Sequence, residues 1–102
     1  MWYNLGMKYK VYHNSRFLEH GGLSWGTKEF PNWDCLNLVA FVEAETIDNV
    51  YRLTNHIDDL WWENPEVEVV KNSRSTSCGD VVEDPQGRLW VCAAVGWVEW
   101  KQ

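Results

Sequence analysis

The chain has 102 residues, of which 45% are hydrophobic and eight are tryptophan, and its formal net charge is −6. This composition excludes an intrinsically disordered chain, because so much apolar surface offsets the entropy cost of folding. It also disfavours direct binding to duplex DNA, because a negative surface is repelled by phosphates. We predict a single domain that spans residues 1–102.

The negative charge is concentrated in one segment. Between Glu43 and Glu68 the chain has eight acidic residues and a single basic one, Arg52, whereas the remainder is close to neutral. Such a segment is either an ordinary solvated helix face or a surface for a basic partner. A protein that normally binds nucleic acid is one such partner.

The cysteines and the N-terminal residues bear on the cellular compartment. Cys35, Cys78 and Cys92 are odd in number and lack the spacings of disulfides or metal ligands. The first residues lack the basic start and apolar run of a signal peptide, and no apolar stretch is long enough to span a bilayer. We expect a reduced, cytoplasmic protein without a cofactor.

The first two predicted strands are separated by a long loop. Residues 8–13 alternate in the manner of a half-buried strand, with His13 on the apolar face. Residues 14–34 interleave glycine and proline with aromatic residues, which predicts a long ordered loop held in place by aromatic side chains. Residues 36–44 are apolar nearly throughout and predict a strand in the interior of a sheet.

A helix and a short strand are predicted next. Thr46 is a good N-cap, and apolar residues at helical spacing predict a helix over residues 47–59. The pair Asn64-Pro65 stops it, because proline disfavours a helical residue before it. Residues 66–70 alternate again and predict a short strand with its glutamates outward.

The C-terminal segment predicts a hairpin followed by an edge strand. Residues 80–83 and 88–94 flank Asp84-Pro-Gln-Gly87, which fits a type I turn with Gly87 in the left-handed region. The second of these strands is apolar on both faces and is therefore expected inside the sheet. Gly96 interrupts it before an edge segment at 97–100. The fold class is therefore α+β, with a small curved antiparallel sheet of about five strands packed on one helix.

The end of the predicted helix is the first candidate binding surface. Trp61 continues the apolar stripe and is expected in the core. Trp62 points elsewhere, so it either anchors a partner or packs under the following loop. The predicted partner-binding residues combine this indole with nearby acidic side chains: Asp58, Asp59, Trp62, Glu63 and Glu66.

A polar loop before the hairpin is the second candidate site. It offers a guanidinium, three hydroxyls and backbone amides, which are groups that bind phosphate or carboxylate. The predicted anion-binding residues are Arg74, Ser75, Thr76 and Ser77. The alternative is that these side chains hold the loop in place at the start of the hairpin. The loop has no Walker or dinucleotide-binding pattern.

Catalytic and metal sites are not predicted. Cys78 would need a nearby histidine to act as a nucleophile, and a small buried thiol is the commoner role. His13, His20 and His56 with Cys35 have no recognised zinc-ligand spacing. Asp58 and Asp59 are adjacent on a helix end and point in different directions, so they do not form an acid/base pair.

Three segments resemble a family of small, mostly uncharacterised proteins of phages, plasmids and conjugative elements, related in places to the YodL-like domain. They are residues 42–56, the run Arg74-Ser-Thr-Ser-Cys-Gly-Asp-Val-Val82 and residues 91–97. The family's pattern is Arg-Ser-x-Ser-x-Gly-Asp-Val-Val, a short turn, and a strand that ends in glycine and an aromatic residue. An aliphatic residue is usual where Cys78 stands, so the resemblance implies an apolar role for this thiol. It implies a mobile-element setting and brings no catalytic residues.

Two functions fit the sequence. The leading hypothesis is a non-enzymatic phage or mobile-element protein that binds and inhibits a host macromolecule, such as a defence or nucleic-acid-handling protein, through its acidic surface. The alternative is a binder of a small anionic ligand or nucleotide, as a sponge or modest hydrolase, through the loop at Arg74. A virion or replication accessory is a third reading. A homo-oligomer is compatible with each, and no membrane partner is expected.

Overall fold

One antiparallel sheet and one α-helix make up the regular structure of the described residues. The computed structural model describes residues 7–15, 33–55, 61–71, 74–76, 79–93 and 96–101. The elements, in chain order, are strand β1 (Met7–Asn14), a 3-10 turn (Trp33–Cys35), β2 (Leu36–Ala44), helix α1 (Ile47–Thr54), a second 3-10 turn (Trp61–Glu63), β3 (Val67–Val69), β4 (Val81–Glu83), β5 (Leu89–Cys92) and β6 (Trp97–Trp100). The predicted α+β class is confirmed.

The sheet has six strands in the order β3-β2-β1-β4-β5-β6 and is not closed. The predicted count of about five was too low, because β6 pairs with β5 at all four of its residues and is a full member of the sheet. Strand β2 lies between β3 and β1, and β5 lies between β4 and β6, as the apolar character of both strands predicts. Strand β6 is an edge strand, also as predicted.

The longest strand pair contains a β-bulge. The β1–β2 register shifts between Val11 and Tyr12, which lie opposite Ala40 and Leu38, so that Val39 is the extra residue. The Val39 carbonyl accepts hydrogen bonds from the backbone N–H groups of Val70 at 2.8 Å and Lys71 at 3.1 Å. The bulge residue Val39 therefore also binds the backbone of the two residues that follow β3.

Helix α1 begins where the sequence predicts and ends earlier. The Thr46 hydroxyl accepts a hydrogen bond from the Asn49 backbone N–H at 3.2 Å, which confirms the N-cap. The helix ends at Thr54, and Asn55 is a non-helical C-cap, so the prediction of a helix through residue 59 was too long. Residues 56–60 lie outside the described part of the chain. Trp61 is buried at 2% exposure, as predicted, but it belongs to a separate 3-10 turn.

The β4–β5 hairpin has the predicted turn. The backbone N–H of Gly87 donates to the Asp84 carbonyl at 2.9 Å, and Gly87 has a φ of 87°. The Asp84 side chain accepts hydrogen bonds from the backbone N–H groups of Gln86 and Arg88, and from the Trp90 indole. Strands β3 and β5 are one or two residues shorter at their ends than the alternating patterns predict.

The two faces of the sheet have different coverings. On one face, Tyr9, Val11 and Val42 belong to the main core, which also contains Val50 of α1 and Trp61. On the opposite face, a second cluster of buried side chains is centred on β4 and β5, with Tyr12, Leu36 and Trp100 against it: Val81, Leu89 and Val91. The predicted long loop lies largely at residues 16–32, outside the described residues.

None of the described helices is both long enough and apolar enough to cross a membrane.

Candidate functional site

The acidic residues of the predicted partner surface are open to solvent where the structure describes them. Every described acidic side chain between residues 43 and 68 is exposed: Glu43, Glu45, Asp48, Glu63, Glu66 and Glu68. Asp58 and Asp59 lie outside the described residues. Trp62 lies in the 3-10 turn before β3, and its side chain is also outside the described part. Its role as an anchor stays a prediction.

Three of these carboxylates form one cluster, which we call the acidic corner: Glu43, Glu66 and Glu68. The Glu43 backbone N–H donates to the Glu66 carbonyl at 2.9 Å, and this bond places the two residues opposite each other at the end of the β2–β3 pair. Glu68 lies opposite Phe41 in the same pair. Because side chains alternate along a strand, all three carboxylates lie on the sheet face away from α1.

One lysine partly compensates the acidic corner. The Lys8 ammonium lies 3.6 Å from a carboxylate oxygen of Glu68 and 5.3 Å from the centroid of the Phe41 ring. Both charged side chains are more than half exposed, so this ion pair contributes little to stability. The corner keeps an excess of negative charge, which attracts a basic surface and repels phosphates.

The predicted anion-binding loop contains a buried ion pair. The Arg74 guanidinium donates to both carboxylate oxygens of Asp80, at 2.6 and 2.7 Å. The Asp80 side chain is fully buried and that of Arg74 is 29% exposed. The Arg74 guanidinium also donates to the carbonyls of Asn14 and Ser75. Bidentate pairing of this kind fixes the position of the guanidinium and compensates its charge.

The ion pair connects the loop to β1, which lies beside β4 in the sheet. The Asp80 carboxylate accepts a hydrogen bond from the Asn14 backbone N–H at 2.7 Å. His13 Nε2 lies 3.0 Å from the Thr76 hydroxyl and 3.8 Å from the Asp80 carboxylate. We call these five residues the Asp80 network: His13, Asn14, Arg74, Thr76 and Asp80. His13, Asn14, Thr76 and Asp80 are all buried.

The end of α1 is attached to the same loop. The Thr76 backbone N–H donates to the Thr54 carbonyl at 2.9 Å, and the Asn55 side-chain amide donates to the Thr76 carbonyl. The loop at residues 74–76 therefore holds together the last helical turn, the end of β1 and the start of β4.

Burial controls the ionisation of His13. Desolvation lowers the pKa of His13 to about 4, although the Asp80 carboxylate opposes this effect; the Arg74 charge adds to it. The imidazole is therefore neutral at physiological pH. A neutral histidine leaves the Arg74–Asp80 pair balanced, so the network has no excess positive charge.

This geometry favours the structural interpretation of the loop over the anion site. The Arg74 guanidinium is bound within the protein, and the Thr76 hydroxyl is buried against His13. Ser75 is half-buried, and Ser77 lies outside the described residues. Anion binding by this loop stays a prediction. Sequence reasoning missed Asp80, although a signal was present: an acidic residue lies six positions after Arg74, directly after a glycine.

The network does not have the geometry of a catalytic relay. Thr76 and Asp80 both approach the same imidazole nitrogen, Nε2. In a nucleophile–histidine–acid relay, the acid and the nucleophile occupy different ring nitrogens. These groups are also buried, so a substrate has no direct access to them. Their arrangement instead satisfies buried polar groups.

The remaining candidate groups lie only partly within the described residues. Cys35 and Cys92 are buried, and Cys78 lies outside the described residues. Within the described ranges, no group of three or more histidine, cysteine and acidic side chains is placed to hold a metal ion. His20 and His56 of the zinc hypothesis lie outside those ranges.

A cluster of aromatic side chains was not singled out from the sequence; we call it the aromatic patch: Tyr12, Trp33 and Trp100. The Trp33 ring stacks on Trp100 at 5.4 Å with an interplanar angle of 28°, and meets Tyr12 edge-on at 5.5 Å. Trp33 is nevertheless 42% exposed. The signal was a long loop with interleaved aromatic residues, but three positions so far apart in sequence could not be placed together without the sheet order.

Comparison with known proteins gives no match to any family model, curated protein or solved structure.

Proposed function

We propose that this protein is a non-enzymatic accessory protein of a phage or mobile element, which binds and inhibits a basic host macromolecule in the cytoplasm. A defence protein or a protein that handles nucleic acid is the expected class of target. The resemblance of residues 74–82 and their flanking segments supports the setting. The exposed carboxylates support the mode of binding.

One observation carries the proposal: all the described acidic side chains of the segment from Glu43 to Glu68 are exposed, and three of them share one sheet face. An acidic surface on a rigid sheet can occupy a basic groove that otherwise holds nucleic acid, and long-range attraction speeds the encounter. The affinity then depends on desolvated anchors, for which Trp62 is the predicted candidate.

The test is affinity capture from a bacterial host lysate, with the retained proteins identified by mass spectrometry. We expect a basic protein to be retained at low salt and partly released at moderate salt. The double variant Glu63→Lys/Glu66→Lys should weaken retention at least about tenfold, because each lost charge pair at such an interface is worth on the order of 1 kcal/mol.

The matched control is the double variant Asp34→Lys/Glu99→Lys, which changes the net charge equally at two positions outside the acidic segment. A localised interface predicts that this control retains most of the binding. Equal loss in both double variants would show that total charge alone attracts the partner. If the unaltered chain retains no specific protein, the proposal is contradicted. If Trp62→Ala retains the partner fully, Trp62 is not an anchor of the interface.

A further inference from the structure

The sheet face away from α1 brings an exposed indole next to a carboxylate. Trp33 contacts Tyr12 of β1 and Trp100 of β6, and thus spans the two intervening strands, β4 and β5. With 42% of its surface exposed, Trp33 leaves a substantial part of its indole open to a ligand. Two aromatic partners hold this indole in a defined orientation, which lowers the entropy cost of binding against it.

The carboxylate belongs to Glu83, at the end of β4. It accepts a hydrogen bond from the Tyr12 hydroxyl at 3.4 Å. Burial, together with the nearby Glu83 charge and its hydrogen bond, raises the pKa of Tyr12, so the phenol remains a donor. The strand registers place Glu83, Leu89 and Trp100 in one row across the sheet. The carboxylate therefore lies beside the aromatic patch on the same face.

Glu83 has a cation opposite it in the register but does not pair with it. Lys10 faces Glu83 across β1 and β4. Within the described part of the chain, the Glu83 carboxylate takes part in no ion pair. This half-buried carboxylate thus keeps acceptor capacity next to an exposed aromatic surface.

The same sheet face already contains a cation in an equivalent environment. Lys8 lies over the Phe41 ring and pairs with the Glu68 carboxylate. An aromatic ring and a carboxylate together therefore hold one cation in this protein. The aromatic patch with Glu83 offers the same two components, and its larger indole ring binds cations better than a phenyl ring.

We propose that Glu83 and the aromatic patch form a binding site for an arginine side chain of a partner protein. A guanidinium is planar, is weakly hydrated and stacks on an indole while its N–H groups pair with a carboxylate. The net charge of −6 favours a basic partner. A nucleobase would also stack on Trp33, but its phosphate would be repelled by Glu83. This site lies apart from the acidic corner and does not depend on the proposed inhibition of a host protein.

The test uses a short, labelled, capped arginine peptide, with lysine and citrulline peptides of the same length, and measures binding by fluorescence anisotropy. We expect the arginine peptide to bind about fivefold more tightly than the lysine peptide, because only arginine both stacks and pairs in two places. Citrulline keeps the planar shape without the charge and should bind at least about tenfold more weakly than arginine.

Two variants locate the site, and each has a control. Trp33→Ala should weaken the arginine peptide about tenfold, and Glu83→Gln about fivefold. Val70→Ala removes a different exposed apolar side chain, and Glu99→Gln makes the same charge change on the other face of the sheet. Both should change the affinity less than about twofold. Thermal unfolding of each variant shows whether it is folded. If Trp33→Ala does not fold, the affinity of Glu83→Gln for the arginine peptide tests the site.

Three outcomes would overturn the inference. They are equal binding of the lysine and arginine peptides, an equal effect of Glu99→Gln and Glu83→Gln, and no binding by the unaltered protein. The first two would show diffuse attraction to an acidic protein instead of a site. Captured host proteins that bind normally to Glu83→Gln would leave the proposed function intact while this site fails, so the two proposals are separable.

Discussion

Asp80 is the residue on which the polar interior depends. Its buried carboxylate accepts hydrogen bonds from Arg74 and from the Asn14 backbone, and lies 3.8 Å from His13. The sequence predicted that Arg74 binds an external anion. In the structure Arg74 instead pairs with the carboxylate of Asp80, six residues later in the chain. A buried pair is strongly destabilising to break, because the remaining charge has no compensation.

Loss of the Asp80 charge should therefore unfold the protein more readily. We expect Asp80→Asn to lower the free energy of unfolding by about 3–5 kcal/mol. Asp48→Asn makes the same chemical change at an exposed position and should cost less than about 1 kcal/mol. The double variant Arg74→Met/Asp80→Asn should cost less than the sum of its single variants, because neither charge is then left alone. Denaturant unfolding measures the stability of these three variants and of Arg74→Met alone. If the loss in the double variant equals the sum of the two single losses, Arg74 and Asp80 are not coupled.

His13 gives the protein a specific response to acid. Its pKa falls from 6.5 in the unfolded chain to about 4 in the native state. Between these two values the unfolded chain binds a proton that the native protein does not bind, so stability falls as the pH falls. The loss of stability due to His13 is absent above the pKa of the unfolded chain and reaches roughly 3 kcal/mol when the pH equals the native pKa.

Unfolding free energies across this pH window, with an NMR titration of the imidazole, measure the effect. In His13→Asn the part of the slope due to the imidazole should disappear, while the slope from carboxylates at lower pH remains. An unchanged slope in that variant, or a His13 pKa near 6.5 in the folded protein, would contradict this account of the buried imidazole.

At the scale of elements, the sequence predicted those features that depend on residues close to one another in the chain. The Thr46 cap, the Gly87 turn and the alternation in β1 all appear in the structure, because each depends on residues within a few positions of one another. The end of α1 was mispredicted, because the apolar spacing continues to Trp61. The helix instead stops where partners distant in sequence bind its last turn: Thr76 contacts the Thr54 carbonyl. Periodicity carries no information about such contacts.

The candidate sites divide in the same way. The acidic segment was visible in the sequence, because charge and exposure follow from residue type. Sheet order was not visible, since β1 pairs with β2 and β4 across long stretches of chain. Only that order brings Trp33, Tyr12 and Trp100 together, and places Glu83 beside them. The Asp80 network likewise needs β1 next to β4.

At the scale of the whole molecule, the sheet separates the face that packs on α1 from a face whose acidic corner keeps an excess of negative charge. The face toward α1 contains the main core, whereas the opposite face carries the acidic corner and the aromatic patch. In the corner, Glu43 and Glu66 lie opposite each other. Like charges in this position destabilise a strand pair. A surface retained for binding is expected to show such a conflict with stability.

That conflict predicts opposite effects of one substitution on stability and on binding. Glu66→Lys places a cation opposite Glu43 and should raise the free energy of unfolding by roughly 0.5–1 kcal/mol at low salt, because repulsion is replaced by attraction. The gain in stability should largely vanish at high salt, where exposed charges are screened.

The variant Glu66→Lys should also retain less of the captured host protein. Glu63→Lys, which lies outside the strand pair, should lose binding without the gain in stability. If Glu66→Lys is no more stable than the unaltered protein at low salt, the corner is not under electrostatic strain, and its acidity needs no binding role to explain it.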